Sequence, residues 1–158
     1  MAIEIERKFR VQGDGWRSDV ISSSPMRQGY LNNGGNTSLR VRISGDRANI
    51  NIKSGGIGIR RLEYEYEIPL QDGLEMLAEL AQGALVEKTR HKVRCGNHIW
   101  DLDVFEGANA GLVVAEVELD AEDEVFHKPD WAGQEVSDDP RYYNVNLIEN
   151  PYCNWKTD

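Results

Sequence analysis

Acidic and basic residues recur at every second position along this chain, and the two signs keep apart. Acids at that spacing stand at Glu4 and Glu6, at Glu63, Glu65 and Glu67, at Asp101 and Asp103, and at Glu116 and Glu118. Bases stand at Arg40 and Arg42, at Lys88, Arg90, Lys92 and Arg94, and singly at Lys8 and Lys53. Clustered carboxylates suit a hard divalent cation such as Mg²⁺, which takes one or two of them and completes its octahedron with waters and phosphate oxygens. Arginine meets phosphate oxygens with paired N–H donors, whereas lysine acts as a mobile point charge. Brought together, such groups would hold a polyanion and its cations.

A spacing of two is that of a β-strand, whose successive side chains point to opposite faces. Strands are expected at 4–11, 27–31, 38–44, 48–54, 60–68, 86–95, 98–105 and 111–120. Turn-forming runs separate them (NNGGN, SGDR, SGGIG, GN, EGANAG), and SGDR and CGNH read as tight antiparallel hairpins. Behind the charged face lies an apolar one: Ile5, Phe9 and Val11; Leu39, Val41 and Ile43; Ile50 and Ile52; Leu62, Tyr64, Tyr66 and Ile68; Ala115, Val117 and Leu119. Helical signals are fewer. Residues 72–82 place Leu74, Leu77, Ala78 and Ala81 on one face, with Asp72 as cap and Gly83 as stop. A second helix is expected over 121–127, and a third from Asp139, with Pro140 at its first position, to just before Pro151. The expected class is α+β, with about eight strands and about three helices.

Two arrangements satisfy this pattern. An open antiparallel sheet with its charged face in water is the commoner one. Like charges at alternate positions, however, repel unless opposite charge lies beside them. Closure into a barrel would turn the charges inward around a space wide enough for a small ligand. Such an interior is prohibitive unless water, metal ions and a polyanion neutralise it. Closure therefore requires a highly charged ligand, with cations on the acids and phosphates on the bases.

The 158 residues are read as one domain, 1–158, with 40% hydrophobic and 28% charged residues. No apolar run reaches membrane-span length, and the polar start MAIEIERKF does not resemble a signal peptide. Cys95 and Cys153 have no metal-ligand spacing, so a cytoplasmic location is expected. The net charge of −9 argues against a broad nucleic-acid or anionic-membrane surface.

EIERK at 4–8 resembles the ExExK strand of the CYTH domain, or triphosphate tunnel metalloenzyme, superfamily. The resemblance continues through QGYL (28–31), LRVR (39–42), IK (52–53), EYE (63–65), KTR (88–90), the Asp101–Asp103 strand, AEVEL (115–119) and the tail EVSDDPRYYNVNL (135–147). It implies an eight-stranded antiparallel tunnel that binds a triphosphate with one or two Mg²⁺ or Mn²⁺ ions. Carried over by motif, Glu4, Glu6 and Glu118 match metal-binding acids, with Glu116 beside them, and Asp103 matches a second metal position less closely. Lys8, Arg40, Arg42, Lys53, Lys88 and Arg90 match the bases along the triphosphate path. Glu63 and Glu65 match further tunnel acids, and Tyr30 resembles a tunnel tyrosine that lies against the first-strand lysine.

The catalytic set expected from this likeness is Glu4, Glu6, Lys8, Tyr30 and Glu118. The expected reaction is hydrolysis of inorganic tripolyphosphate, with one metal orienting the substrate and a second metal or a carboxylate activating water. Alternatives are a class IV-like adenylate cyclase, a thiamine or nucleoside triphosphatase, and a non-catalytic polyphosphate sensor. The expected partner is the small triphosphate, with no nucleic acid and no membrane, and a homodimer through the outer face is compatible with the pattern. His91, on the face opposite Lys88 and Arg90, is expected outside, and His98 and His127 are expected in water. The two cysteines read as plain thiols, and Trp131, Trp155, Tyr142 and Tyr143 as packing for the helical cover.

Overall fold

In the computed structural model, residues 2–32 and 35–155 are described, which leaves the middle of the expected NNGGN turn outside the described residues. The strands are β1 (Ile3–Val11), β2 (Val20–Tyr30), β3 (Thr37–Ser44), β4 (Arg47–Ser54), β5 (Arg60–Ile68), β6 (Val86–Cys95), β7 (His98–Phe105), β8 (Val113–Leu119) and β9 (Ala132–Glu135). Every pairing is antiparallel, in the order β5-β4-β3-β2-β6-β7-β8-β1. β1 then returns to β5, with Ile3 opposite Leu62 and Ile5 opposite Arg60, so the sheet closes. β9 is an extra short strand that pairs with β1 near Phe9 and Val11. Around this ring β3 stands directly across from β8.

The closed arrangement thus holds, and the hydrophobic core lies largely outside the barrel. Trp100, Leu102, Ala115, Val117, Ile5 and Phe9 pack outward against Trp16, Trp131 and Ala132. A second cluster closes one end of the barrel. There Val86, Phe105 and Val114, which share strand faces with Lys88, Asp103 and Glu116, meet Val136, Tyr142 and Leu147 of the chain's last part. A third cluster seats α1 (Leu70–Glu79) on Val41, Ile43 and Ala48. The helix approaches closely because Gly73 faces the sheet: a Cβ there would lie 2.6 Å from Ala48 Cβ.

The expected three helices reduce to this one α-helix and five short 3-10 turns among the described residues. α1 starts after Pro69 rather than at Asp72, so Gly73 and Leu77 are its buried residues, and Leu74 is exposed. Residues 121–127 form no helix. Glu124 Oε1 accepts from the Asp120 backbone N–H at 2.7 Å, and Phe126 turns inward against Trp100. Asp139 does cap Pro140–Tyr142, accepting from the Arg141 N–H at 3.1 Å. The segment then breaks into the separate turns Asn144–Leu147 and Tyr152–Asn154, because its side chains are drawn into the barrel's closed end. β2 begins earlier than 27, and β9 carries no alternation that could have announced it.

Candidate active site in the barrel lumen

Strand alternation delivers charged side chains from the strands of the closed ring to one cavity of about 360 Å³. Glu4, Glu6 and Lys8 come from β1, Tyr30 from β2, Arg40 and Arg42 from β3, and Lys53 from β4. Glu63 and Glu65 come from β5, Lys88 and Arg90 from β6, and Glu116 and Glu118 from β8. Of the residues expected at the site, only Asp103 is absent from this lining.

Asp103 is fully buried behind two bases. Its Oδ2 accepts from Lys88 Nζ at 2.8 Å and from Arg90 Nη2 at 2.9 Å, while its Oδ1 accepts from Arg90 Nε at 2.8 Å. Burial alone would raise this carboxyl, but Arg90 and Lys88 outweigh it and hold it far below the usual carboxylate range. Burial also pushes the Lys88 ammonium down to about 7, against the pull of Asp103. With both oxygens engaged, Asp103 has the geometry of an anchor for bases. Asp101, on the same face, lines the cavity and meets Lys92 at 2.5 Å and Arg90 at 3.4 Å.

Other charges are paired more loosely. Lys53 Nζ lies 3.2 Å from Glu4 and 3.1 Å from Glu63, and Lys8 Nζ lies 3.4 Å from Glu116. Two groups of charges lack opposite partners among the described residues. Arg40 and Arg42 meet no carboxylate, and the buried Arg40 Nε has no hydrogen-bond partner. Burial, followed by the like charges of Arg40 and Arg90, pushes the Arg42 guanidinium down to about 9. Glu6 and Glu118 sit directly opposite each other on β1 and β8 with no ion-pair partner among the described residues. Burial and then Glu116 push Glu6 well up, and burial with Glu63 and Asp101 raises Glu118. Glu4 is pushed up to about 7, chiefly by burial, with Lys53 opposing.

The lumen therefore has an unneutralised basic wall on β3 facing an acidic wall on β8 and β1. Among the described residues no group of three or more Asp, Glu, His or Cys side chains forms a ready-made metal cage. Mg²⁺ needs no such cage, because one or two carboxylates suffice when substrate phosphates complete its shell. An all-oxygen acidic wall, strained by its own like charges, fits a hard divalent cation.

The cavity also takes in Arg61, Ser137, Tyr143 and Asn144, which the charge pattern did not single out. Arg61 shares the face of Glu63 and Glu65, so strict parity would have found it. Tyr143 and Asn144 come from the irregular tail, where no periodicity points inward; Tyr143, expected as packing for the helical cover, instead lines the cavity, its hydroxyl donating to the Ser137 carbonyl at 2.6 Å. His91 sits outside, its Nδ1 2.6 Å from Ser23 Oγ and its ring against Trp16.

Comparison with known proteins agrees with this architecture. The CYTH domain family model matches residues 2–145. An inorganic triphosphatase of Acetivibrio thermocellus is 46% identical over 156 residues, covering 99% of each chain. An inorganic triphosphatase of Nitrosomonas europaea is 39% identical over 148 residues, covering 91% of this chain and 95% of the relative. A crystal structure of an inorganic triphosphatase superposes with a TM-score of 0.65 at 37% identity, covering 94% of this chain and 95% of that one. The motifs, the closed barrel and the extent of these matches agree, and the chain belongs to the CYTH domain family.

Proposed function

We propose that this protein is a divalent-cation-dependent inorganic triphosphatase that hydrolyses tripolyphosphate to pyrophosphate and phosphate. The observation that carries this reading is the pair of opposed walls: unpaired arginines on β3 face unpaired glutamates across one cavity. A lone anion would satisfy only the first wall and a lone cation only the second, whereas a metal-bound triphosphate satisfies both. The triphosphatases among the relatives support the same substrate class.

In this reading Arg40 and Arg42 donate to phosphate oxygens and stabilise charge on the transferred and leaving groups. Lys8 and Lys53, already within reach of Glu116, Glu4 and Glu63, adjust along the chain of phosphates. Glu6 and Glu118 would hold the cation, with Glu4 and Glu116 beside them. When bound, Mg²⁺ or Mn²⁺ supplies charge neutralisation and lowers the pKa of a coordinated water. Water adds to the terminal phosphorus as the bridging P–O bond breaks, pyrophosphate departs, and the acidic wall takes up the released proton. Asp103 serves by fixing Lys88 and Arg90. Tyr30, buried and opposite Arg40 in the strand register, would bound the phosphate path beside that arginine.

The net charge of −9 and the small charged cavity support a small-molecule enzyme, and its working place is proposed to be the cytoplasm. The test is turnover of tripolyphosphate with Mg²⁺ or Mn²⁺, scored as phosphate and pyrophosphate, with ATP and Mn²⁺ as a parallel arm. Cyclic AMP from the second arm without phosphate from the first would replace hydrolase by cyclase. Unchanged metal-dependent turnover in Glu6→Gln or Glu118→Gln would remove the assigned cation ligands.

A further inference from the structure

Lys88 on β6 and Arg42 on β3 are separated by β2, and a buried polar path joins them. Arg42 Nε donates to Gln28 Oε1 at 3.1 Å, and Gln28 Nε2 donates to Asn144 Oδ1 at 3.0 Å. Lys88 Nζ donates to the same Asn144 oxygen at 2.9 Å. Gln28 is 0% exposed, Lys88 1% and Asn144 9%. Both ends of the path are groups that can only donate, so both amide orientations are fixed. Gln28 must turn its oxygen to Arg42, its nitrogen then faces Asn144, and Asn144 must offer its oxygen to two converging donors. Either amide flip would set donor against donor.

The identity of the shared acceptor matters. Lys88 already has one anionic partner, Asp103, which it shares with Arg90. A second carboxylate would hold Lys88 as firmly but cancel positive charge that a polyanion needs. An amide oxygen holds it without adding charge. The residues before Asn144 follow the same logic: the Tyr142 carbonyl accepts from Lys8 Nζ at 3.1 Å, and the Tyr143 ring lies 5.6 Å from that ammonium. Tyr142 and Leu147 anchor this segment in the apolar cluster that closes the barrel.

We propose that Asn144 is a positioning residue for triphosphate binding: its side-chain oxygen fixes Lys88 and, through Gln28, Arg42, while leaving their charges uncancelled. This rests on the triphosphatase reading above. The experiment compares the wild type with Asn144→Ala, Gln28→Ala, the double variant and Asn144→Asp. It records kcat and KM for tripolyphosphate, calorimetric binding of tripolyphosphate to metal-free protein, and thermal melting. Each alanine variant should weaken binding and raise KM about tenfold, the loss expected for one hydrogen bond to a charged group. The double variant should be no weaker than Asn144→Ala, because both changes cut one path. Asn144→Asp should melt at or above the wild-type temperature yet still bind weakly. Additive losses, lowered melting with unchanged KM and binding, or wild-type affinity in Asn144→Asp would each overturn the inference. A wild type without tripolyphosphatase activity would overturn the triphosphatase reading instead, and the binding arm would still decide the role of Asn144.

Discussion

Replacing Arg42 by methionine should make the protein more stable and unable to hold its substrate. Burial, followed by the like charges of Arg40 and Arg90, pushes the charged guanidinium down to about 9. That corresponds to roughly 5 kcal/mol of unfavourable free energy, at about 1.4 kcal/mol per tenfold. The cost is fully present below about pH 9, where Arg42 is charged in both folded and unfolded chains, and is relieved only as the pH climbs from there toward the ordinary arginine range. Water in the lumen recovers part of it, and methionine leaves Gln28 Oε1 without its donor, a loss of about 1 kcal/mol. A net gain of about 2 kcal/mol is expected, within the range seen when apolar groups replace buried ions. At this chain length that raises the melting temperature by about 4–8 °C. Saturating tripolyphosphate should reverse the order. The wild type gains about 2.7 kcal/mol at a hundredfold excess over Kd, and the variant gains little. Scanning calorimetry with and without tripolyphosphate reads both effects. A ligand-free variant that melts below the wild type would refute the claim that Arg42 is an uncompensated charge, and a variant that keeps the full ligand shift would refute its role in binding.

Asp103→Asn should destabilise the fold by about 3–5 kcal/mol, because it strands Lys88 and Arg90 as buried charges. Urea titration measures this, and a loss of metal affinity without loss of stability would make Asp103 a ligand rather than an anchor. Gly73→Ala forces a methyl group to 2.6 Å from Ala48 Cβ. It should cost about 1–3 kcal/mol by overpacking, with activity per folded molecule unchanged in a turnover assay at low temperature. Glu4 is raised to about 7, so the folded metal-free chain binds more protons than the unfolded one between about pH 4.5 and 7, and its stability should fall as pH rises through that window. Added Mg²⁺ should flatten the slope in melting curves taken across it, and an equal slope with saturating Mg²⁺ would place the cation away from Glu4.

Strand alternation made the barrel's two faces legible, because burial and charge follow the same period of two. Glu6, Arg42 and Glu118 could be placed inward from spacing alone once closure was assumed. Closure itself depended on the pairing of Ile3 with Leu62, and no local pattern encodes a contact between strands so far apart in sequence. The tail departs from its helical pattern for a different reason. Its Pro140 start is a true helical signal, but Tyr142, Asn144 and Leu147 satisfy tertiary partners that a continuous helix would have pulled away from. For Asp103, parity reports only which way the carboxylate points. It does not report whether two bases have already claimed the oxygens.

A wall one residue thick, with apolar packing on its outer side and the charged cavity on its inner side, ties mutational consequence to the parity of a residue's number. Within β3, changes at Val41 and Ile43 should cost stability, and changes at Arg40 and Arg42 should cost substrate binding. A one-residue insertion in that strand would exchange the two sets, sending arginines into the apolar cover and valine into the phosphate path. An inserted residue within a strand should therefore cost this barrel more than a substitution there, whereas one inserted in a turn leaves the parity of the strands unchanged.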